Sequence, residues 1–186
     1  MICRLAFTII IFSVAIDLNA QTHKRGFLTM REIDSVNRTH SGKPYVPINL
    51  KTLSGNVITS DTISGKVTLI NFWFKACTGC RVEYPILNNI FSDLKGNPEF
   101  RLITITFDPE DSLPDFIEEN DMRFPIVSVG PKDSSRRLNF NNGYPTNILI
   151  GPDNKIIFVK LGTIRYTKDR GVKDNVYYLI NDLLAP

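Results

Sequence analysis

A pair of cysteines between a predicted strand and a predicted helix limits the possible folds of this chain more than any other feature. Residues 67–74 (VTLINFWF) are β-branched or aromatic and apolar nearly throughout, which is typical of a central strand buried on both faces. Cys77 and Cys80 follow this strand, and apolar residues then recur at roughly helical spacing over residues 82–94. Cys77 therefore lies where a helix begins. There, unpaired N–H groups and the helix dipole stabilise a thiolate, which is the reactive form of cysteine.

The pattern along the rest of the chain predicts one α/β domain. We expect a polar lead-in over residues 21–46 and a folded domain over residues 47–186, and Pro85 predicts a kink in the helix after the cysteines. Strands that alternate with helices predict a mixed central sheet with helices on both faces. The other expected elements are a hairpin at 48–59, strands at 100–107 and 125–129, helices at 113–119 (capped by Ser112), 134–140 and 173–184, and a closing hairpin at 146–150 and 155–161.

The composition excludes several classes of protein. Of the 186 residues, 42% are hydrophobic and 22% are charged. These values are typical of globular proteins and exclude a disordered, collagenous or coiled-coil chain. The length allows a full core without stabilising disulfides. The net charge of +3 comes with no dense stripe of lysine and arginine, so we expect no nucleic-acid partner.

The first twenty residues have the pattern of an export signal. Arg4 precedes an apolar run over residues 5–16, and the small residue Ala20 stands before a polar segment. This order is typical of a secretory signal peptide over residues 1–20, and the run is short for a membrane span. An uncleaved membrane anchor is the alternative. Cleavage after Ala20 would remove Cys3 and leave Cys77 and Cys80 as the only thiols of an exported protein.

Four other uses of the cysteine pair compete with redox exchange. A zinc site needs about four ligands, but only His23 and His40 could join the cysteines, so no metal is expected. Haem attachment requires histidine directly after the second cysteine, where this chain has Arg81. A purely structural disulfide would close too small a loop to stabilise the fold much. A peroxide-reducing cysteine is the strongest competitor. Redox exchange between Cys77 and Cys80 is the favoured interpretation.

Two segments carry a family resemblance. Residues 65–73 (GKVTLINFW) with the following 77–85 (CTGCRVEYP), and residues 143–150 (GYPTNILI), resemble the TlpA/ResA-like thiol–disulfide oxidoreductases of the thioredoxin superfamily, which is related to the redoxin and AhpC/TSA-like proteins. The resemblance covers the chain from about Pro47 onward. It implies a thioredoxin-like fold with an N-terminal β-hairpin and a central insertion between residues 107 and 130.

The resemblance also implies the roles of individual residues. Cys77 would be the attacking thiol, Cys80 the resolving thiol, and together they would form the redox-active disulfide. Pro145, in a cis peptide bond beside the cysteines, would contact the backbone of a bound substrate. Tyr144 would shape specificity, and Trp73 is the third expected substrate-binding residue. The implied activity uses no cofactor. It reduces disulfides of partner proteins in the bacterial envelope, with a membrane thiol carrier as electron donor.

Glu83 is the third expected catalytic residue. It stands three residues after Cys80, where the resemblance places an acidic side chain. A partly buried carboxylate there could accept the proton of Cys80, and loss of hydration would raise its pKa. Asn71 stands where ordinary thioredoxins have a buried acid, which leaves Glu83 as the candidate proton acceptor. The alternative for Glu83 is a solvent-facing position on the helix.

The chain also departs from the family pattern. Ala76 replaces the usual aromatic residue before the first cysteine, and the pair Thr78-Gly79 matches neither common sequence between the cysteines. Because this pair tunes the reduction potential, the direction of electron flow stays open. Two other functions also stay open. One is peroxide reduction, against which Phe74 counts because peroxidases have Thr or Ser there. The other is a binding module without redox turnover.

Overall fold

The computed structural model describes residues 39–185, and within this range seven strands form two sheets. The sheet of five strands has the order β5–β4–β3–β6–β7, and β1 and β2 form a separate antiparallel hairpin. The central strand β3 pairs parallel with β4 and antiparallel with β6. The strand bounds are Asn49–Lys51 (β1), Val57–Thr59 (β2), Val67–Trp73 (β3), Phe100–Thr106 (β4), Ile126–Ser128 (β5), Thr146–Ile150 (β6) and Ile156–Leu161 (β7).

Helices connect these strands and cover the sheet. The mixed sheet, the N-terminal hairpin and the closing hairpin confirm the α/β architecture expected from the sequence. The insertion after β4 supplies a helix and the edge strand β5, which pairs parallel with β4. The helix bounds are Ser60–Ile63 (α1), Thr78–Arg81 (α2), Tyr84–Leu94 (α3), Pro114–Glu119 (α4) and Tyr177–Leu184 (α5), with a 3₁₀ turn at Glu110–Ser112 and a π-helical segment at Lys132–Leu138.

The core lies on both faces of the sheet, because alternate side chains of β3 point in opposite directions. All seven residues of β3 are buried, as the continuous apolar run predicted. Leu69 belongs to a cluster that includes Leu87 of α3 and Ile180 of α5. Ile70 belongs to the opposite cluster, which includes residues of the N-terminal hairpin and Leu138 of the π-helical segment. The central strand is thus enclosed by helices on one side and by the N-terminal segments on the other.

Two helix predictions need correction near prolines. Pro85 does not kink a continuous helix; the chain turns at residues 82–83, and Pro85 lies in the first turn of α3. Proline fits there because the first N–H groups of a helix have no intrahelical partner. Ser112 does not cap α4: it lies in the 3₁₀ turn, and its hydroxyl donates to the carbonyl of Pro109 at 2.8 Å.

The C-terminal helix begins later than the sequence pattern indicates. We predicted a start near Lys173, but α5 begins at Tyr177. The preceding residues pair with the segment after β7 instead: Arg165 N–H donates to the carbonyl of Asp174, and Val176 N–H donates to the carbonyl of Arg165, both at 2.8 Å. These long-range backbone bonds compete with helix formation and delay the first helical turn.

The end of the lead-in is attached to the domain. Gly42 N–H donates to the carbonyl of Ile156 at 2.7 Å, and Tyr45 N–H donates to the carbonyl of Asn154 at 3.1 Å. The hydroxyl of the buried Tyr45 donates to the carbonyl of Leu138 at 2.9 Å. The predicted signal peptide (1–20) and most of the polar lead-in lie outside the described residues. Within residues 39–185 no helix has the length and apolar character needed to cross a membrane.

Candidate active site

Cys77 and Cys80 lie at the carboxyl end of the central strand and are joined by a disulfide, with their Cα atoms 5.3 Å apart. Cys77 is the N-cap residue of α2, and the N–H of Cys80 donates to Cys77 Sγ at 3.1 Å. Such a donor favours the thiolate when the disulfide opens. Cys77 is 7% exposed and Cys80 only 1%. Cys77 is therefore the more exposed residue of the pair, and Cys80 is almost completely buried.

Pro145 borders the cysteine loop. The Tyr144–Pro145 peptide bond is cis, as the resemblance implies. A Cβ atom built on Gly79 would lie 3.5 Å from Pro145 Cδ, so the proline ring lies against the segment between the two cysteines. Gly162 holds the proline segment in place, since its N–H donates to the carbonyl of Pro145 at 2.8 Å. Its φ of +89° is one that glycine adopts without strain.

Tyr144 is part of a cluster of three half-buried aromatic rings at the same edge of the sheet. Its ring makes edge-to-face contacts with Phe74 and Phe107, at centroid distances of 5.3 and 5.6 Å. Phe74 and Phe107 stack on each other at 5.2 Å. The hydroxyl groups of Tyr144 and Ser134 are hydrogen-bonded at 3.1 Å. The aromatic cluster, Phe74, Phe107 and Tyr144, therefore lies next to Pro145 and immediately before the cysteine loop.

Trp73 is placed differently from a substrate-binding residue. Its side chain is fully buried, and its ring stacks on Phe116 and contacts the edge of Tyr84. A side chain without exposed surface does not touch a partner in this conformation. The expectation that Trp73 contacts substrate is corrected accordingly: the indole packs inside the core, against Phe116 of α4 and Tyr84 of α3.

Glu83 lies inside the protein and not on a solvent-facing helix surface. Its exposed fraction is 1%, and its N–H donates to the carbonyl of Cys80 at 2.9 Å. Three N–H donors surround the carboxylate. Asn71 Nδ2 donates to Oε2 at 2.8 Å, and Oε1 accepts from Asn147 Nδ2 and from the Ile164 backbone N–H, both at 2.8 Å. The carboxylate is thus buried and fixed at both oxygens.

Burial raises the pKa of Glu83 to about 7, because loss of hydration disfavours the charged form. The three hydrogen bonds and the positive charge of Arg165 oppose this effect and keep the pKa from rising further. A carboxyl group with a pKa near neutrality can both accept and release a proton under physiological conditions. This property is what a proton acceptor for a neighbouring thiol requires.

Sequence reasoning identified Glu83 but missed the groups that hold it. Asn147 and Ile164 received no role from the sequence. Asn147 had a detectable signal, since it is a polar residue inside an apolar strand pattern two residues after Pro145. The Ile164 contribution comes from the backbone and leaves no trace in the sequence. Asp108, which accepts the Lys75 N–H before Cys77, lies just after the strand predicted at 100–107 and also received no role from the sequence.

Comparison with known proteins places this site in a family. A family model described as the AhpC/TSA family matches residues 41–159, well over half of the chain. The chain belongs to the AhpC/TSA family. The match includes the cysteine pair, Glu83 and Pro145, and ends within β7.

Named relatives of this AhpC/TSA protein are thiol–disulfide proteins. A thiol:disulfide interchange protein DsbE of Pseudomonas fluorescens biotype C is 42% identical over 50 residues, which is 26% of this chain and 28% of the relative. The thiol-disulfide oxidoreductase ResA of Halalkalibacterium halodurans is 27% identical over 127 residues, covering 66% of this chain and 69% of the relative. The chain therefore spans little more than a quarter of DsbE and about two thirds of ResA. Both names agree with the enzyme class expected from the sequence.

Solved structures confirm the thioredoxin-like fold of this AhpC/TSA protein. The thioredoxin domain of a thiol-disulfide oxidoreductase from Bacteroides vulgatus superposes with a TM-score of 0.62 and is 25% identical. The superposition covers 78% of this chain and 98% of that domain. The expected relationship to the ResA-like branch of the thioredoxin superfamily is confirmed.

Proposed function

We propose that this protein is an exported thiol–disulfide oxidoreductase that reduces disulfides in partner proteins through Cys77 and Cys80. One observation supports this proposal above all others. Cys77, the more exposed cysteine, is bonded to the almost completely buried Cys80, within a site that Pro145 borders and close in the chain to the buried Glu83. The names of the relatives support the same chemistry. The signal-like pattern of residues 1–20 supports export to the bacterial envelope.

In the first step, the enzyme and the partner form a mixed disulfide. In the reduced enzyme, the Cys77 thiolate attacks one sulfur of the partner's disulfide. A bond forms between Cys77 Sγ and that sulfur, the partner's own S–S bond breaks, and its second sulfur leaves as a thiolate. The Cys80 N–H, which donates to Cys77 Sγ, supports the anionic form of the attacking sulfur. Pro145 and Tyr144 line the surface that the partner's backbone would approach.

The second step releases the partner. Glu83 accepts the proton of the Cys80 thiol, and the Cys80 thiolate attacks Cys77 Sγ. The Cys77–Cys80 bond forms, the mixed disulfide breaks, and the partner's remaining sulfur leaves as a thiolate. The partner has gained two electrons and the enzyme has lost two. A second dithiol, for which we propose a membrane thiol carrier, returns these electrons and is itself oxidised to a disulfide.

Variants of the two cysteines test this scheme. Cys80→Ala should accumulate a covalent mixed disulfide between Cys77 and secreted partner proteins. The adduct should be visible on a non-reducing gel and should disappear when the sample is treated with a reducing agent. Cys77→Ala should abolish both adduct formation and disulfide reduction, and the double variant is the matched control for non-covalent association. Failure of Cys80→Ala to form any adduct, in a strain that contains the exported protein, would contradict the two-step scheme.

The direction of electron flow and the peroxidase alternative each need one further measurement. Equilibration of the protein with glutathione buffers gives the reduction potential: a value towards −270 mV supports a reductase, whereas a value near about −120 mV is that of an oxidase. Stopped-flow mixing of the reduced protein with peroxide tests the peroxidase alternative. We expect slow oxidation, because position 74 carries an aromatic ring packed against Phe107 instead of a hydroxyl group.

A further inference from the structure

The side chain of Asn147 makes hydrogen bonds within the candidate site that the sequence did not predict. It lies directly opposite Asn71 in the antiparallel pairing of β3 and β6, and both side chains are almost completely buried. Asn71 Nδ2 donates to Asn147 Oδ1 at 2.9 Å. With its oxygen engaged in this way, the amide of Asn147 presents Nδ2 to Glu83 Oε1 at 2.8 Å and to the carbonyl of Gly162 at 3.3 Å.

These contacts fix the orientation of the Asn147 amide. A flipped amide would place Oδ1 against the Glu83 carboxylate and the Gly162 carbonyl, both acceptors, and Nδ2 against the donor Asn71. Each of these pairings would leave a buried polar group without a hydrogen-bond partner, which destabilises the flipped orientation. The cross-strand pair of asparagines therefore holds one N–H of Asn147 on the carboxylate.

Asn147 also joins the carboxylate to the loop that carries the cis proline. It follows Pro145 by two residues, and the Gly162 carbonyl that it contacts belongs to the residue whose N–H donates to the carbonyl of Pro145. Two residues later, the Ile164 N–H donates to the same Glu83 oxygen. One short connected network of hydrogen bonds thus links the expected partner-binding proline to the expected proton acceptor.

We propose that Asn147 is a positioning residue that holds the Glu83 carboxylate in place for proton transfer from Cys80 during release of the partner. This inference rests on the proposed function, because it assigns Asn147 to the second step of that cycle and not to the first. Asn147 acts through Glu83 and does not contact the sulfur atoms in the scheme. The hydrogen bond that supports the Cys77 thiolate in the first step comes from the Cys80 N–H and does not involve Asn147.

A chromogenic disulfide separates the two steps. The reduced protein is mixed with dithiobis(nitrobenzoate) in single-turnover stopped flow: attack by Cys77 releases one coloured thiolate, and attack by Cys80 on the mixed disulfide releases the second. For Asn147→Leu, we expect the first phase to stay within about two-fold of wild type and the second to slow by about ten-fold or more, since positioned acid–base groups contribute at least that much. Thr68→Val is the matched control, because Thr68 is a buried polar residue of β3 whose hydroxyl does not contact Glu83.

A double variant distinguishes positioning from general loss of structure. If Asn147 acts through Glu83, the second phase of Glu83→Gln/Asn147→Leu should be no slower than that of Glu83→Gln alone. Additive slowing, or equal slowing of both phases, would overturn the inference. A wild-type protein that shows no second phase would overturn the proposed function, and the inference with it.

Asn147→Asp provides a test that keeps the shape of the side chain. It retains an acceptor for Asn71 and places a second carboxylate beside Glu83, so the pH profile of the second phase should move to higher pH. The other ionisable groups near Glu83 are Arg165 after β7 and Tyr84 of α3, which interact with it electrostatically, and Cys80 of α2, whose carbonyl accepts the Glu83 N–H. All three are unchanged in this variant. An unshifted profile in a folded Asn147→Asp protein would contradict the proposed role.

Discussion

The backbone N–H of Lys75 donates to Oδ2 of Asp108 at 2.8 Å, which joins the segment before Cys77 to the segment that follows β4. The same oxygen accepts the hydroxyl of the buried Thr106 at 2.6 Å. The Lys75 ammonium donates to the carbonyl of Ser112 at 2.7 Å and holds the segment against the 3₁₀ turn. One carboxylate oxygen therefore orders the approach to the reactive cysteine.

Asp108→Ala should loosen this approach and destabilise the protein. Two donors, the Lys75 N–H and the Thr106 hydroxyl, would lose their acceptor, and each such loss costs about 1–3 kcal/mol of the free energy of unfolding when the group is buried. Urea unfolding of the oxidised protein measures the change. Asp111→Ala, which removes an exposed carboxylate of the adjacent 3₁₀ turn, should leave the midpoint almost unchanged. Equal effects of the two substitutions would show that Asp108 does not order the loop.

Glu83 should make the stability of the oxidised protein depend on pH. Its pKa rises from an ordinary value of 4.5 to about 7 in the folded state, so between these values the folded protein holds a proton that the unfolded chain has released. The free energy of unfolding should therefore fall as the pH rises from about 4.5 to 7, by about 3 kcal/mol in total. The cysteines do not titrate in the oxidised protein. Burial lowers the pKa of His40, which acts in the opposite direction over the same range, so the contribution of Glu83 is the difference between the wild-type protein and a variant without this carboxyl group.

Glu83→Gln removes the titrating carboxyl group and provides the comparison. We expect the variant to lack most of the decline in stability across that pH range, as measured by urea unfolding at pH 5, 6, 7 and 8. Its stability at any single pH is less informative, because the NH2 group of a glutamine amide would face either the Asn71 donor or the donors of Asn147 and Ile164. A wild-type protein and a variant with parallel pH profiles would show that the buried carboxyl group keeps an ordinary pKa.

Local patterns were sufficient to predict the central strand, the position of the cysteine pair and both hairpins. In each of these, neighbouring residues decide the structure: a continuous apolar run in β3, or turn residues between β-branched segments. Glu83 could be assigned because the resemblance supplied its role. Its burial was one of two open alternatives, since helical spacing alone does not tell which side of α3 faces the sheet.

The features that sequence reasoning missed depend on register and on backbone contacts between distant residues. The approach of Asn147 to Glu83 requires that β6 pair with β3 so that Asn147 lies opposite Asn71. The late start of α5 requires the pairing of Arg165 with Asp174. Neither contact can be predicted from a local sequence pattern, because each depends on how segments that are separated in the chain pair with one another.

Gly79→Ala tests the contact between the cysteine loop and Pro145. The new methyl group would lie 3.5 Å from Pro145 Cδ, an ordinary van der Waals distance, so the protein should fold. Alanine within a helix is favoured over glycine by roughly 0.5–1 kcal/mol, and the midpoint of unfolding should rise slightly. If the partner's backbone lies along Pro145, the methyl group should raise KM for a disulfide-containing protein while kcat changes little. Gly96→Ala, at a position with no neighbouring atoms within 4 Å, is the control.

Tyr144→Ala should weaken both partner binding and the local packing. The substitution removes two edge-to-face contacts, with Phe74 and Phe107, which are worth about 1–3 kcal/mol together. It also removes the partner of the buried Ser134 hydroxyl. We expect a several-fold rise in KM for a protein disulfide and a smaller effect on a small-molecule disulfide, which does not cover the aromatic cluster. Tyr144→Phe keeps the ring and loses only the hydroxyl group, so its KM should stay near that of wild type. A Tyr144→Ala protein that reduces both classes of substrate with unchanged KM would show that the aromatic cluster lies outside the partner-binding surface.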